Sequence, residues 1–175
     1  MEIRDHTFSL LYDYCIFRAH ISSVQKNKLK EYPLPKVTEM TKKMRYLGHK
    51  FSNDVTVWPH LTEHRDFSIA DYENFRNCVH EAFEECQTIT SKIIYAYFEF
   101  VAVCCVYSVS TAVYGSNLEE ICLYATQYLS SSSKFIDFII KEHGWEGFIN
   151  SQYGKHKNSQ QGIFKHWLQV LNNQE

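Results

Sequence analysis

A chain of 175 residues suits one domain with a single core, predicted here to span 1–175. Hydrophobic residues make up 45% and charged residues 22%, which excludes a disordered polar chain, and a formal charge of −2 gives no electrostatic case for nucleic acid as partner. Twelve Tyr, twelve Phe and three Trp stand against six Gly and three Pro, a scarcity of turn residues that favours long helices over many short strands.

From Asp5 to about Ser22, Phe8, Leu11, Tyr12, Cys15, Ile16 and Ala19 recur at three- and four-residue steps, which predicts one amphipathic helix. Ser23 to Val37 is polar, Lys-rich and broken by Pro-Leu-Pro, a loop. A second helix is expected from about Thr38 to Asn53, with Met40, Met44, Leu47 and Phe51 on one face, then an irregular connection around Trp58-Pro59. A third starts near Ser68, where Ser68 and Asp71 resemble a capping box, and carries Phe75, Cys78, Val79, Ala82 and Phe83.

Thr88 to Ser91 offers N-cap candidates for the most apolar segment, Ile93 to Val113. Its length would allow a membrane helix, and its β-branched content would allow strands. Glu99 within it, and the lack of any turn signal, favour the buried central helix of a globule. Gly115-Ser116-Asn117 ends it. Leu118 to Leu129 and Lys134 to Glu142 read as helices separated by a Ser130–Ser133 break. His143 to Phe148 reads as a turn and a short helix, Lys155 to Gln161 as polar linker, and Gly162 to Leu171 as a last helix. The expected fold is all-α, with seven to nine helices wrapped around one apolar helix.

The segment Met1-Glu2-Ile3-Arg4-Asp5 has no apolar secretory core, so the chain is expected to be intracellular and its six Cys to be free thiols. They read as small buried hydrophobes, including Cys104 and Cys105 inside the apolar run. No phosphate loop, nucleophile elbow or His-Glu-x-x-His is present. His60 and His64 lie four apart, but nothing nearby completes a tetrahedral ligand set. Glu84-Glu85 reads as solvated surface. Catalysis, a metal and a cofactor are therefore not expected. The basic stretch Lys26 to Arg45 reads the same way, as a solvated face.

Three segments in order carry a resemblance. Met44-Arg45-Tyr46-Leu47-Gly48-His49-Lys50-Phe51 resembles the third homology motif of the Bcl-2 family, Leu-x-x-x-Gly-Asp-x-Phe. Ala96-Tyr97-Phe98-Glu99-Phe100 resembles the end of the first motif, and Phe138 to Trp145 resembles the second, with Gly144, Trp145, Phe148 and Tyr153 continuing the match. The resemblance implies a Bcl-2-like helical globule and a surface groove for an amphipathic BH3 helix. That groove would be lined by Phe51, Val55, Cys78, Ala82, Tyr95, Ala96 and Phe100, with Thr90, Ser91 and Lys92 at its rim. Gly48 would serve close packing beside the central helix, and Ala96 a close approach of the ligand.

With three departures from the motifs, the resemblance implies a highly diverged homologue, invertebrate or viral. Thr90-Ser91-Lys92-Ile93 stands where the family has Asn-Trp-Gly-Arg, which leaves Lys92 as the nearest cation for a ligand aspartate. His49 replaces the motif aspartate, and His143 replaces the first glycine of the second motif. The implied function is that of a pro-survival regulator of apoptosis that sequesters BH3 helices of pro-apoptotic relatives in the cytoplasm, at the mitochondrial outer membrane if a tail anchor follows. Its rivals are a pro-apoptotic effector of the same family and an unrelated helical adaptor or enzyme.

Overall fold

The computed structural model describes residues 2–22, 24, 26–53, 72–111 and 117–159. Among them are seven α-helices, one short 3-10 turn and no strand: α1 Glu2–Ile21, α2 Glu39–Asn53, α3 Tyr72–Glu85, α4 Ser91–Thr111, α5 Leu118–Ser131, α6 Ser133–Lys141 and α7 Gly144–Ser159, with the 3-10 turn at Lys26–Leu29. The Ser68–Asp71 cap, Val55, Trp58, His60, His64 and the helix expected at 162–171 lie outside the described residues.

Helix α4 is the centre. It is long and apolar enough to span a membrane by length and composition, yet every residue from Ile94 to Ala102 is buried and α1, α2, α3 and α5 all pack on it. Burying one such side chain stabilises by about 1.5–3 kcal/mol, so enclosing this helix is the largest single gain the fold makes. Its one acid is satisfied inside. Glu99 accepts from the Tyr14 hydroxyl at 2.7 Å and from Arg18 Nε at 3.1 Å and Nη2 at 2.5 Å.

Helix α1 is more enclosed than a single stripe would allow. Asp13, Tyr14 and Phe17 are buried with Leu11, Cys15, Ile16 and Ala19, while Phe8 and Tyr12 are only half-buried. Neighbours on several sides explain this, since α1 touches α2, α4, α5 and α7. Helix α2 buries Met44, Leu47 and Phe51 as its periodicity predicts, and buries Arg45 and Tyr46 as well. Arg45 finds Asp13 across the α1–α2 contact, with Nε donating to Oδ2 at 2.9 Å and Nη2 to Oδ1 at 2.6 Å. Burial raises the Asp13 carboxyl above its ordinary range even so, the mark of a pair whose desolvation outweighs its attraction.

Gly48 is required by a close approach, but not to the central helix as expected. A Cβ there would lie 2.5 Å from Cε2 of Tyr14, on α1. The reason is the tyrosine's own anchor: its hydroxyl reaches past α2 to Glu99, which lays the ring across the Gly48 backbone.

The chain reverses at capped ends. Thr41 N–H donates to Thr38 Oγ1 at 3.1 Å before α2, and Asn117 and Glu120 form a reciprocal capping box at the start of α5. Lys134 Nζ donates to the carbonyls of Glu84 and Cys86 and so satisfies the end of α3. Ser132 alone separates α5 from α6, ending one and capping the next, where a four-serine break was expected. Helix α7 is likewise longer than anticipated: Lys155 to Ser159, predicted as linker, continues it. Its inner face holds Trp145 against Phe98, Phe135 and Phe148, and Trp145 Nε1 donates to Thr7 Oγ1 at 2.8 Å.

At the α6–α7 junction, His143 has φ +62° and Gly144, the first residue of α7, φ +83°. A left-handed backbone suits glycine and is tolerated by histidine at a cost. His143 is exposed, so His143→Gly sacrifices little packing and is expected to stabilise the protein by about 0.5–1 kcal/mol, read as an upward shift in urea midpoint. A lower midpoint would show that the unfolded-state entropy of the new glycine outweighs the relief.

Two interior histidines give the fold an acid limit. Burial and the Arg18 guanidinium hold His49 down at about 4, and burial with Arg76 holds His80 at about 4. His80 stacks on Tyr128 with 3.6 Å between centroids and shares a 2.9 Å hydrogen bond with the Tyr97 hydroxyl. In the unfolded chain both imidazoles titrate near 6.5. The fold therefore binds fewer protons, and its stability is full above about pH 6.5 and falls as pH drops towards 4. Solvent screening at these half-buried rings limits the loss to about 2–3 kcal/mol for the two together. Urea unfolding at about pH 7 and pH 4.5 measures it, and His49→Gln with His80→Gln should flatten the difference.

Candidate functional site: a lysine-rimmed cleft

Three helices converge on a cleft of about 440 Å³ lined by Leu47, Lys50 and Phe51 from α2, Ser91, Lys92 and Tyr95 from α4, and Gln152, Lys155 and His156 from α7. On α2 and on α7 the contributing positions fall at i, i+3 and i+4, the spacing that places side chains on one helical face. The floor is aromatic. Phe51 and Tyr95 have ring centroids 5.8 Å apart, and Tyr95 rests on Phe148 at 6.0 Å. Burial pushes the Tyr95 phenol well above its ordinary range, and its hydroxyl donates to Gln152 Oε1 at 3.4 Å.

The rim is cationic. Lys92 and Lys155 are exposed and Lys50 half-buried, and among the described lining residues none is a carboxylate. Lys50 Nζ donates to His156 Nδ1 at 2.9 Å, and burial together with Lys50 and Lys155 lowers the affinity of that imidazole for a proton. The cleft also meets the start of a 21-residue helix, where first-turn N–H groups have no partner four residues back and the backbone dipole adds positive potential. Thr90 acts as the cap there. Ile93 N–H donates to its Oγ1 at 3.4 Å and Ile94 N–H to its carbonyl at 3.2 Å. An apolar floor with a positive rim fits an amphipathic ligand bearing negative charge.

Of the residues named from sequence, Phe51, Ser91, Lys92 and Tyr95 come together in this cleft, with Thr90 exposed beside it. Ala96 and Phe100 are enclosed instead, at 0% and 2% exposure, and Ala82 is buried on α3. Ala96 thus offers no open surface, since the helices packed on α4 enclose it. Val55 and the Cys78 side chain lie outside the described residues. Met44, Gly48, Trp145 and Phe148 support the cleft from within, and Tyr153 packs edge-on against Tyr46 at 5.7 Å. Lys155 and His156 were missed because their stretch reads as linker, and Gln152 because the short helix expected there was not followed beyond Phe148. The four-residue steps Phe148, Gln152 and His156 were the signal that could have found them.

The thiols take no part in this site. Cys15, Cys105 and Cys122 meet in the α1–α4–α5 core with their sulfurs within 4.8 Å of one another. Burial pushes the Cys15 and Cys105 thiols well up, which keeps them protonated and unreactive.

No family model, curated protein or solved structure matches the chain. The class that fold and site define is an all-helical domain built around one apolar helix, with an apolar cleft ringed by lysines.

Proposed function

We propose that this protein is a Bcl-2-like, pro-survival regulator of apoptosis that holds the amphipathic BH3 helix of a pro-apoptotic partner in the α2–α4–α7 cleft. The observation that carries the proposal is spatial. Of the three segments that resemble the family's motifs, the one on α2 lines the cleft with Leu47, Lys50 and Phe51, while the other two, on α4 and across the α6–α7 turn, meet in the core through the Phe98–Trp145 ring contact, and Tyr95 of the cleft floor joins Phe51 to Phe148. Such a ligand places apolar anchors at i, i+3/4 and i+7 on the aromatic floor, and Lys92 answers its aspartate where the family uses arginine.

A guardian is favoured over an effector because α2 is tied into the core. An effector would release its own BH3-like segment, yet Met44, Arg45 and Leu47 are all buried and Arg45 is paired with Asp13. Exposing them forfeits several apolar burials and separates a desolvated ion pair. In this reading the protein works in the cytoplasm at the mitochondrial outer membrane.

Fluorescence titration with a broad panel of BH3 peptides is the test, and at least one Kd below about 1 μM is expected. No binding across the panel would overturn the function and leave an unrelated helical adaptor or enzyme. Dye release from liposomes separates the two roles. Suppression of release by an active pore-forming partner is expected, and release by this protein alone would assign it as the effector.

A further inference from the structure

We propose that Cys15, Cys105 and Cys122 form a buried three-sulfur site for one soft monovalent cation of the copper(I) type. Their sulfurs lie within 4.8 Å of one another, and those of Cys105 and Cys122 are 3.9 Å apart. Each comes from a different helix: α1, α4 and α5. Nothing in the chain announces the set, since residues 15, 105 and 122 show none of the short spacings by which metal-binding cysteines are recognised. None of the three lines the cleft, so the site goes beyond the proposed function and stands or falls without it.

The size of the triangle suits a metal. A metal–thiolate bond is about 2.3 Å, and three such bonds at 120° set the sulfurs about 4.0 Å apart. Cys105 and Cys122 already have that separation. The other two sides, at no more than 4.8 Å, reach it by closing at most about 0.8 Å. Burial of a cysteine in this core does not by itself produce the arrangement. Cys104, next in the chain to Cys105 and equally enclosed, is not one of the group.

Ligand softness, ligand count and charge select the ion. Thiolates favour copper(I), zinc and iron–sulfur clusters over hard cations. Zinc takes four ligands in structural sites, and among the described residues no further His, Cys, Asp or Glu joins the three sulfurs. Glu99, whose charge reaches Cys15, is committed to Tyr14 and Arg18. All three cysteines are 0% exposed, where any net charge is costly. Burial opposes a thiolate at Cys122, but S–H donation from Cys105 and Cys15 outweighs it and lowers the proton affinity of that sulfur to about 6. Burial keeps the other two as thiols. One thiolate and two thiols carry a single negative charge, which a monovalent cation cancels. No electron moves on binding: the cation exchanges its carrier ligands for sulfur, and any thiol that ionises releases one proton to solvent. The bound ion ties α1, α4 and α5 together at one point.

The test uses the full chain, reduced and kept from oxygen, with copper(I) supplied as its bicinchoninate complex. Because the core encloses the sulfurs, the protein is refolded from urea in the presence of that complex. One equivalent of copper(I) is expected to stay with the folded protein, to show only sulfur neighbours by X-ray absorption, and to raise the urea midpoint by binding the folded state alone. Cys15→Ala and Cys122→Ala should each weaken retention at least about 100-fold. Cys104→Ala, a change of the same size in the same core, should leave it within about threefold. A core substitution can cost the fold, so circular dichroism checks each variant and the X-ray absorption of the unaltered protein serves as the second measurement. Nitrogen or oxygen neighbours there would overturn the site. So would retention unchanged in folded Cys15→Ala and Cys122→Ala, which would move the copper to other thiols. Failure to take copper from the chelator, or zinc(II) held as tightly as copper(I), would overturn it as well.

Discussion

Gly48→Ala should destabilise the protein by about 2–3 kcal/mol, although alanine is the better helix former by about 1 kcal/mol. The added methyl would stand 2.5 Å and 2.6 Å from two ring carbons of Tyr14 and 2.9 Å from its hydroxyl oxygen, well inside van der Waals contact. The ring has nowhere cheap to go. It is fully buried, it packs against Phe17 and Phe98, and its hydroxyl is bonded to Glu99. Relief by moving the ring strips a buried carboxylate of a donor, and relief by moving α2 widens its contact with α1 along its length. Urea unfolding gives the size of the effect, and Tyr14→Leu supplies the control. With the ring gone, Gly48→Ala should turn neutral or stabilising as helix propensity takes over. A neutral effect in the unaltered chain would mean that α1 and α2 separate easily, and the cleft's α2 wall would then be loosely held.

Asp13→Ala is expected to cost about 3–5 kcal/mol, more than any loss of exposed charge could, because it strands the Arg45 guanidinium where no solvent reaches. Arg45 is 0% exposed and its side chain lies over the Phe17 ring, 5.3 Å from the centroid, so no rotamer change carries the charge to water without vacating the core. The pair itself is a poor stabiliser, as the raised Asp13 carboxyl indicates. Replacing both partners, Asp13→Leu with Arg45→Met, should therefore recover most of what the single substitution loses. A thermodynamic cycle over the four proteins measures the coupling, and additivity of the two single costs would refute the account. The same four proteins bear on the proposed role. If the pair keeps α2 from opening, Asp13→Ala should increase the susceptibility of the 39–53 segment to proteolysis more than an equally destabilising change far from α2 does.

The site was legible in part, and the division follows from what each residue depends on. Phe51, Tyr95, Ser91 and Lys92 could be named because the resemblance to the family's motifs implies a groove at those positions, and Phe51 also falls on the apolar face of α2. Lys155 and His156 could not be named, since a polar helical face and a polar linker share a composition. Ala96 is placed in a groove by the resemblance to the first motif, with its small size as a reason for close approach. Its burial depends on how closely the neighbouring helices approach α4, which no property of Ala96 encodes.

Sequence by itself marked most of the helical stretches among the described residues, where several of them end, and favoured one apolar helix as the centre. Those outcomes rest on backbone propensity, capping chemistry and a 3.6-residue period, all local quantities. Tertiary structure decided the partners. Arg45 reads as part of a basic surface stretch until α1 places Asp13 against it, Gly48 meets α1 because Tyr14 reaches for Glu99, and Lys50, Lys92 and Lys155 become one rim only where α2, α4 and α7 meet. A side chain's charge or size is written in the chain, but the energy of that charge depends on the dielectric and the counter-charge around it, and both are set by residues distant in sequence.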